Sequence, residues 1–80
     1  MTKIATFHTH FGAMTFRDNL HGLGDPTAVM MPVPRALSAS CGVCVRFEAE
    51  FDPDTMFDED LEKVVLVDGQ GYQTLFENES

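Results

Sequence analysis

The sequence predicts an α+β fold: a ferredoxin-like β-α-β-β-α-β sandwich, in which a four-stranded antiparallel sheet carries two helices on one face. Three observations predict it. The chain has 80 residues, room for one core and so for a single domain over 1–80. Residues 42–51 alternate, with Val43, Val45, Phe47, Ala49 and Phe51 on one side and Gly42, Cys44, Arg46, Glu48 and Glu50 on the other. Two stretches with apolar residues at three- and four-residue steps stand between the candidate strands.

Residues 3–8, KIATFH, read as the first strand. Thr9 is placed to cap a helix over 10–22, whose Ala13, Phe16, Leu20 and Leu23 form one apolar stripe. Gly22 and Gly24 end it, and Asp25-Pro26 makes a turn. Residues 27–33, TAVMMPV, read as a second strand, held to a sheet edge because Pro32 has no N–H for a ladder. A loop of small and polar residues over 34–41 leads into the alternating strand. The acidic turn DPDTMFDED precedes a second helix over 57–67, with Phe57, Leu61, Val64 and Val65 inward. Gly69 and Gly71 close that helix, and 72–76, YQTLF, is the last strand. In this topology one sheet face stays open, and Cys44 lies on it. The ends of the first two strands and the starts of the first helix and third strand meet at one rim. His8, His10, Arg35, Cys41 and Gly42 converge there.

Hydrophobic residues make up 44% of the chain, which argues against wholesale disorder. There is no tryptophan, so seven phenylalanines and five methionines must fill the core. No apolar run reaches the roughly 20 residues of a membrane span. The N-terminus lacks the apolar centre of a secretory signal, and a cytoplasmic location is expected. A net charge of −8 disfavours nucleic acid and anionic membrane as partners. Eight of the acids (Glu48, Glu50, Asp52, Asp54, Asp58, Glu59, Asp60 and Glu62) fall within one short stretch, so the cysteine region between Arg35 and Arg46 is locally less acidic.

Cysteines in a reducing compartment point to redox, carrier or metal chemistry before a structural staple. Cys41 sits between Ser40 and Gly42, small neighbours that leave a thiol accessible. Arg35, the first helix's N-terminus and a protonated His8 or His10 would each favour its thiolate. Equally, Cys41 reads as a small residue filling space beside a turn. Cys44 completes a C-x-x-C spacing, but residues three apart in a strand lie roughly 10 Å apart on opposite faces, too far for a disulfide without a local turn. Cys44 also reads as a plain strand residue. Cys41, Cys44, His8 and His10 have the residue types of a Cys2His2 metal site, at a spacing that fits no common finger. His8 and His10 otherwise read as polar rim residues. His21 complements the helix dipole. The acid run lacks the central glycine of a calcium loop and reads as a solvated turn. Ser38 and Ser40 lack an acid-base partner and read as loop hydrogen bonders.

Val33, Pro34, Arg35, Leu37, Ser38, Ser40, Cys41, Gly42, Arg46 and Phe47 make up a block, VPRALSASCGVCVRF, that resembles the signature of the DUF3343 or putative Se/S carrier-like family. The opening Thr6, Phe7, His8, Thr9 and His10 is similar as well. The resemblance implies that Cys41 accepts sulfur or selenium as a persulfide or selenopersulfide. Arg35, Ser38, Ser40 and Gly42 would shape its loop. Cys44 stands where a small apolar residue is more usual, so a second thiol could resolve the persulfide.

The expectation is a small thiol carrier or accessory protein rather than a stand-alone enzyme. It would serve sulfur or selenium donor and acceptor proteins, need no cofactor, and pair as a homodimer through the open sheet face. One alternative is a non-catalytic interaction subunit of a larger enzyme. The other is a metal or redox site from Cys41, Cys44, His8 and His10.

Overall fold

The structure is a computed structural model that describes residues 1–37 and 41–78. The elements are β1 (Lys3–Phe7), α1 (His10–Gly22), β2 (Val29–Pro32), β3 (Val43–Phe47), α2 (Pro53–Met56), β4 (Leu61–Asp68) and β5 (Gly71–Glu77). The five strands form one sheet in the order β2-β3-β1-β4-β5, and every neighbouring pair is antiparallel. The α+β class holds, and β2 lies at a sheet edge with Pro32 in its last position.

The expected four-stranded sandwich with two full helices does not form. Residues 57–67 were expected to be helical, but Leu61–Asp68 is a strand. Its apolar residues satisfy a helical stripe and a doubly buried strand equally well. Two facts decide for the strand. Val64, Val65 and Val67 are β-branched, which favours extended backbone. In addition, β1 needs a partner on its second edge, because its five residues are buried and their backbone groups must be paired. β4 supplies that partner, with Ile4 opposite Val65 and Ala5 opposite Val64. Gly69 and Gly71 therefore close a β4–β5 hairpin rather than a helix. The Asp68 carboxylate accepts from the Gln70 N–H at 2.7 Å in that turn. The second helix shrinks to the single turn of α2, started by Asp52, which accepts from the Asp54 N–H.

α1 forms as its sequence predicts. Thr9 is its N-cap and accepts from the Gly12 N–H at 3.1 Å. At the other end, Gly24 adopts φ +97°, the Gly24 N–H reaches the His21 carbonyl, and the Asp25 N–H reaches the Leu20 carbonyl. This is the glycine-ended helix stop that satisfies the last free carbonyls. α1 packs on β1, β2 and β3. Phe16 is wedged between Phe7 and Phe47, with ring centroids 5.1 and 5.4 Å away.

The centre of the sheet is buried on both faces, whereas β2 and β5 at its edges are largely exposed. Under α1 lie Ala5, Phe7, Val45, Phe47, Leu61 and Val64. On the opposite face Ile4, Cys44 and Val65 pack beneath Leu37, with Met31, Val33 and Val67 around them. The second face was expected to be open at Cys44. Instead, the tight turn at 34–37, closed by the Leu37 N–H on the Pro34 carbonyl at 3.0 Å, folds Leu37 over it. Among the described residues, no helix is long and apolar enough to cross a membrane.

Two side chains tie the loops to this frame. The Asp25 carboxylate, 8% exposed, accepts from the backbone N–H groups of Thr27, Glu48 and Ala49 at 3.0, 3.0 and 2.9 Å, and from the Thr27 hydroxyl. Burial works against its charge. The hydrogen bonds from Thr27, Ala49 and Glu48 outweigh it and hold the group at about 2. Asp60 accepts from the Thr9 N–H at 3.1 Å and from the Thr9 hydroxyl, so it backs the helix cap from the loop before β4.

Two predictions follow from these ties. A Cβ at Gly12 would sit 1.8 Å from Asp60 Oδ2. Gly to Ala inside a helix ordinarily stabilises by roughly 0.5–1 kcal/mol. Here Gly12→Ala should instead destabilise by about 1 kcal/mol or more, seen as a lower urea midpoint, because Asp60 must leave the cap. In Asp60→Ala the same substitution should lose most but not all of that penalty, because the position-60 Cβ remains 2.8 Å away. For Asp25, the lowered value means that its stabilisation is complete above the unfolded value of 3.8 and is lost as pH falls through about 2. On the order of 2 kcal/mol should disappear over that window. Melts of wild type and Asp25→Asn should show a gap at pH 7 that closes in acid.

Candidate functional site

Cys41 stands in the turn that starts β3, followed by Gly42 at φ +75°, a left-handed backbone that only glycine adopts without strain. The Gly42 carbonyl accepts from the Val33 N–H at 3.1 Å, which closes the β2–β3 connection directly beside the thiol. Cys41 is half-buried and packs at the edge of the core under α1. Its Sγ lies 3.2 Å from the Phe7 carbonyl oxygen and 3.4 Å from that of Val43, so the S–H donates to one or the other. The Phe7 contact fixes Cys41 against the end of β1, where the chain turns into α1.

Cys44 has a different environment. It is 0% exposed, in the core on the far side of the sheet, and its S–H donates to the Pro32 carbonyl at 3.8 Å. Burial pushes its thiol up to about 11, and the neighbouring Cys41 adds to the shift. Both cysteines are free. They pack into different cores, so a Cys41–Cys44 disulfide would require the start of β3 to rearrange. Thr6 stands directly opposite Cys44 in the β1–β3 register. Its hydroxyl is buried and finds no hydrogen-bond partner among the described residues.

The expected convergence on Cys41 is only partly present. His8 follows Phe7 and so stands beside the thiol in the chain path, but its Nδ1 turns to Glu62 Oε1 at 3.9 Å. His10 is exposed at the start of α1, and Arg35 is exposed in the 34–37 turn, whose Leu37 packs into the opposite core. None of these three meets the Cys41 sulfur among the described residues. The helix start was expected to offer its dipole and free N–H groups to Cys41. It is already engaged: Thr9 takes the Gly12 N–H, and the Asp60 carboxylate stands over Thr9. In the sequence Asp60 is one acid of a run that reads as a solvated turn. The Asp-rich stretch carries no local signal that one member reaches back 51 residues. His21 turns its Nε2 to the Ala28 carbonyl at 2.8 Å and so ties the end of α1 to the loop before β2. Ser38 and Ser40 lie outside the described residues.

Among the described residues, no group of three or more His, Cys, Asp or Glu side chains is placed to hold a metal ion. Cys41, Cys44, His8 and His10 in particular are divided between the two faces and the solvent.

The match to known families falls on this half of the molecule. Residues 2–55 match the family described as putative Se/S carrier protein-like, a span from β1 through β3 that includes the whole cysteine turn. The chain belongs to this family. No curated protein and no solved structure matches it. The matched span ends within α2, so β4 and β5 lie beyond it.

The difference between the two thiols is directly measurable. The thiolate is the reactive form, and Cys44 at about 11 holds about a hundredfold less of it at pH 8 than a thiol at the ordinary 9.0. Iodoacetamide on the native protein should alkylate Cys41 at least about tenfold faster than Cys44. The two rates should become equal in denaturant.

Proposed function

We propose that the protein is a small sulfur or selenium carrier that holds its cargo on Cys41. The observation that supports this most is the contrast between the two thiols within the family-matched block. Cys41 is free and half-exposed in a glycine-shaped turn, whereas Cys44 is sealed in the opposite core.

The transfer conserves atoms and electrons. The Cys41 thiolate attacks the outer sulfur of a donor persulfide, R–S–SH. The donor S–S bond breaks, R–S⁻ leaves, and Cys41–S–SH forms. A selenium donor, R–S–SeH, gives Cys41–S–SeH in the same way. Passing the cargo to an acceptor thiolate is the reverse reaction on a different partner, and Cys41 returns as thiolate. The Phe7 and Val43 carbonyls hold the resting S–H and offer an anion nothing. A donor must therefore draw the sulfur away from them, and Gly42 leaves room on that side. Arg35, exposed two residues after Val33, is free to meet an anionic donor group at the same loop. Cys44 has no part in the cycle, because its sulfur faces the other core.

Intact-mass spectrometry after incubation with a sulfurtransferase and a sulfur source tests the proposal. Wild type and Cys44→Ser should each gain the mass of one sulfur, removable by a thiol reductant, and Cys41→Ser should gain none. An unmodified wild type, or an equal gain on Cys41→Ser, would overturn it. Loss of the gain in Cys44→Ser alone, with the fold intact by circular dichroism, would return Cys44 to the mechanism.

A further inference from the structure

The structure assigns a docking groove beside α1 to an amphipathic helix of a partner protein, one that carries basic residues around a small apolar face. The helix-bearing side of the sheet is covered in two parts. α1 lies over β1, β2 and β3. Over the other end, Phe51 and Phe57 pack on Phe76 of β5, with ring centroids 5.6 and 6.0 Å away. A second full helix would occupy the space between. α2 is a single turn, and what remains is a groove of about 290 Å³ lined by Phe16, Leu20 and Leu23 of α1 and by Met56, Phe57 and Asp58.

The lips of the groove are apolar and face water: Leu23 is 72% exposed and Phe57 50%. Its volume is at the low end of the roughly 300–1,000 Å³ of sites that enclose a small ligand, so it suits one or two side chains of a larger partner. A helix is the element this layer lacks. It would lie beside α1 and insert anchors one turn apart.

Charge selects among the partners. Asp58 lines the groove, Asp54 and Glu59 are the chain neighbours of the lining segment 55–58, and Arg17 of α1 already pairs with Asp18 at 3.0 Å. A second copy of the chain carries the same net −8 and would be repelled, as would any acidic segment. Lysine or arginine residues beside the anchors would be attracted, and would both steer and orient the partner. The groove follows the second half of α1, whereas Cys41 stands against the end of β1 where α1 begins. A helix seated here leaves the thiol uncovered, so the inference stands whether or not Cys41 carries cargo.

The test is an amide-detected NMR titration of the full chain with a synthetic helical peptide of about 14 residues, with two leucines four apart and flanking lysines. Shifts should cluster at Phe16, Asn19, Leu20 and Leu23 and across 55–58. Affinity should fall with added salt, and by about tenfold or more in Leu23→Ser or when the peptide lysines are replaced by glutamate. Asp58→Asn, which keeps the side-chain shape, should weaken binding without moving the melting temperature. Three results would overturn the assignment: no shifts, shifts elsewhere on the surface, or equal binding of the glutamate peptide. The same amides moving with protein concentration alone would also overturn it, by giving the groove to a second copy.

Discussion

The structure depends on the double burial of β1. Its five residues are buried, with Ala5 and Phe7 in one core and Ile4 and Thr6 on the other face. A strand so placed must have both edges paired, and β3 and β4 do this. The two cores follow from its alternation, since each neighbour must repeat the same division of side chains to bury anything against it. The end of β1 then organises the rest. Phe7 supplies the carbonyl that receives Cys41, His8 donates its N–H to the Asp60 carbonyl, and Thr9 begins α1 under the Asp60 carboxylate.

A sheet with two buried faces separates two cysteines that lie close in sequence. Cys41 enters from the α1 side at the boundary of core and solvent, and Cys44 enters the opposite core at full depth. A C-x-x-C pair on a helix start would bring its sulfurs onto one side, but here the same spacing at the start of a strand packs them into different cores. Of the two thiols, Cys41 is the partly exposed one and Cys44 the buried one. The elevated value for Cys44 and the carbonyl bonds of Cys41 both come from where the pleat places each side chain.

The acid-rich stretch serves several purposes at once. Asp52 starts α2, Asp58 shapes the turn into β4 by accepting from the Asp60 N–H at 2.8 Å, and Asp60 backs the cap of α1. These bonds hold 52–60 in turns on either side of the single turn of α2. The groove beside α1 and the negative field around it thus have one origin.

Local chemistry by itself determined the first half of the chain. Thr9, the 13-16-20 stripe and Gly24 place α1 from cap to stop, and Pro32 places β2 at an edge, because those signals act within a few residues. The alternation of 43–47 likewise determined which of its side chains share a face, and so set Cys44 apart from Val43, Val45 and Phe47. Only the tertiary structure decided 61–68, where the apolar positions suit a helix and a strand alike and the unpaired edge of β1 selects the strand. It also decided that Leu37 covers Cys44, that Asp60 reaches the helix start, and that Arg35 and His10 stay apart from the thiol. Each of these is a contact between distant segments, whose energy depends on what lies opposite in space and is absent from the residue's own neighbourhood in the chain.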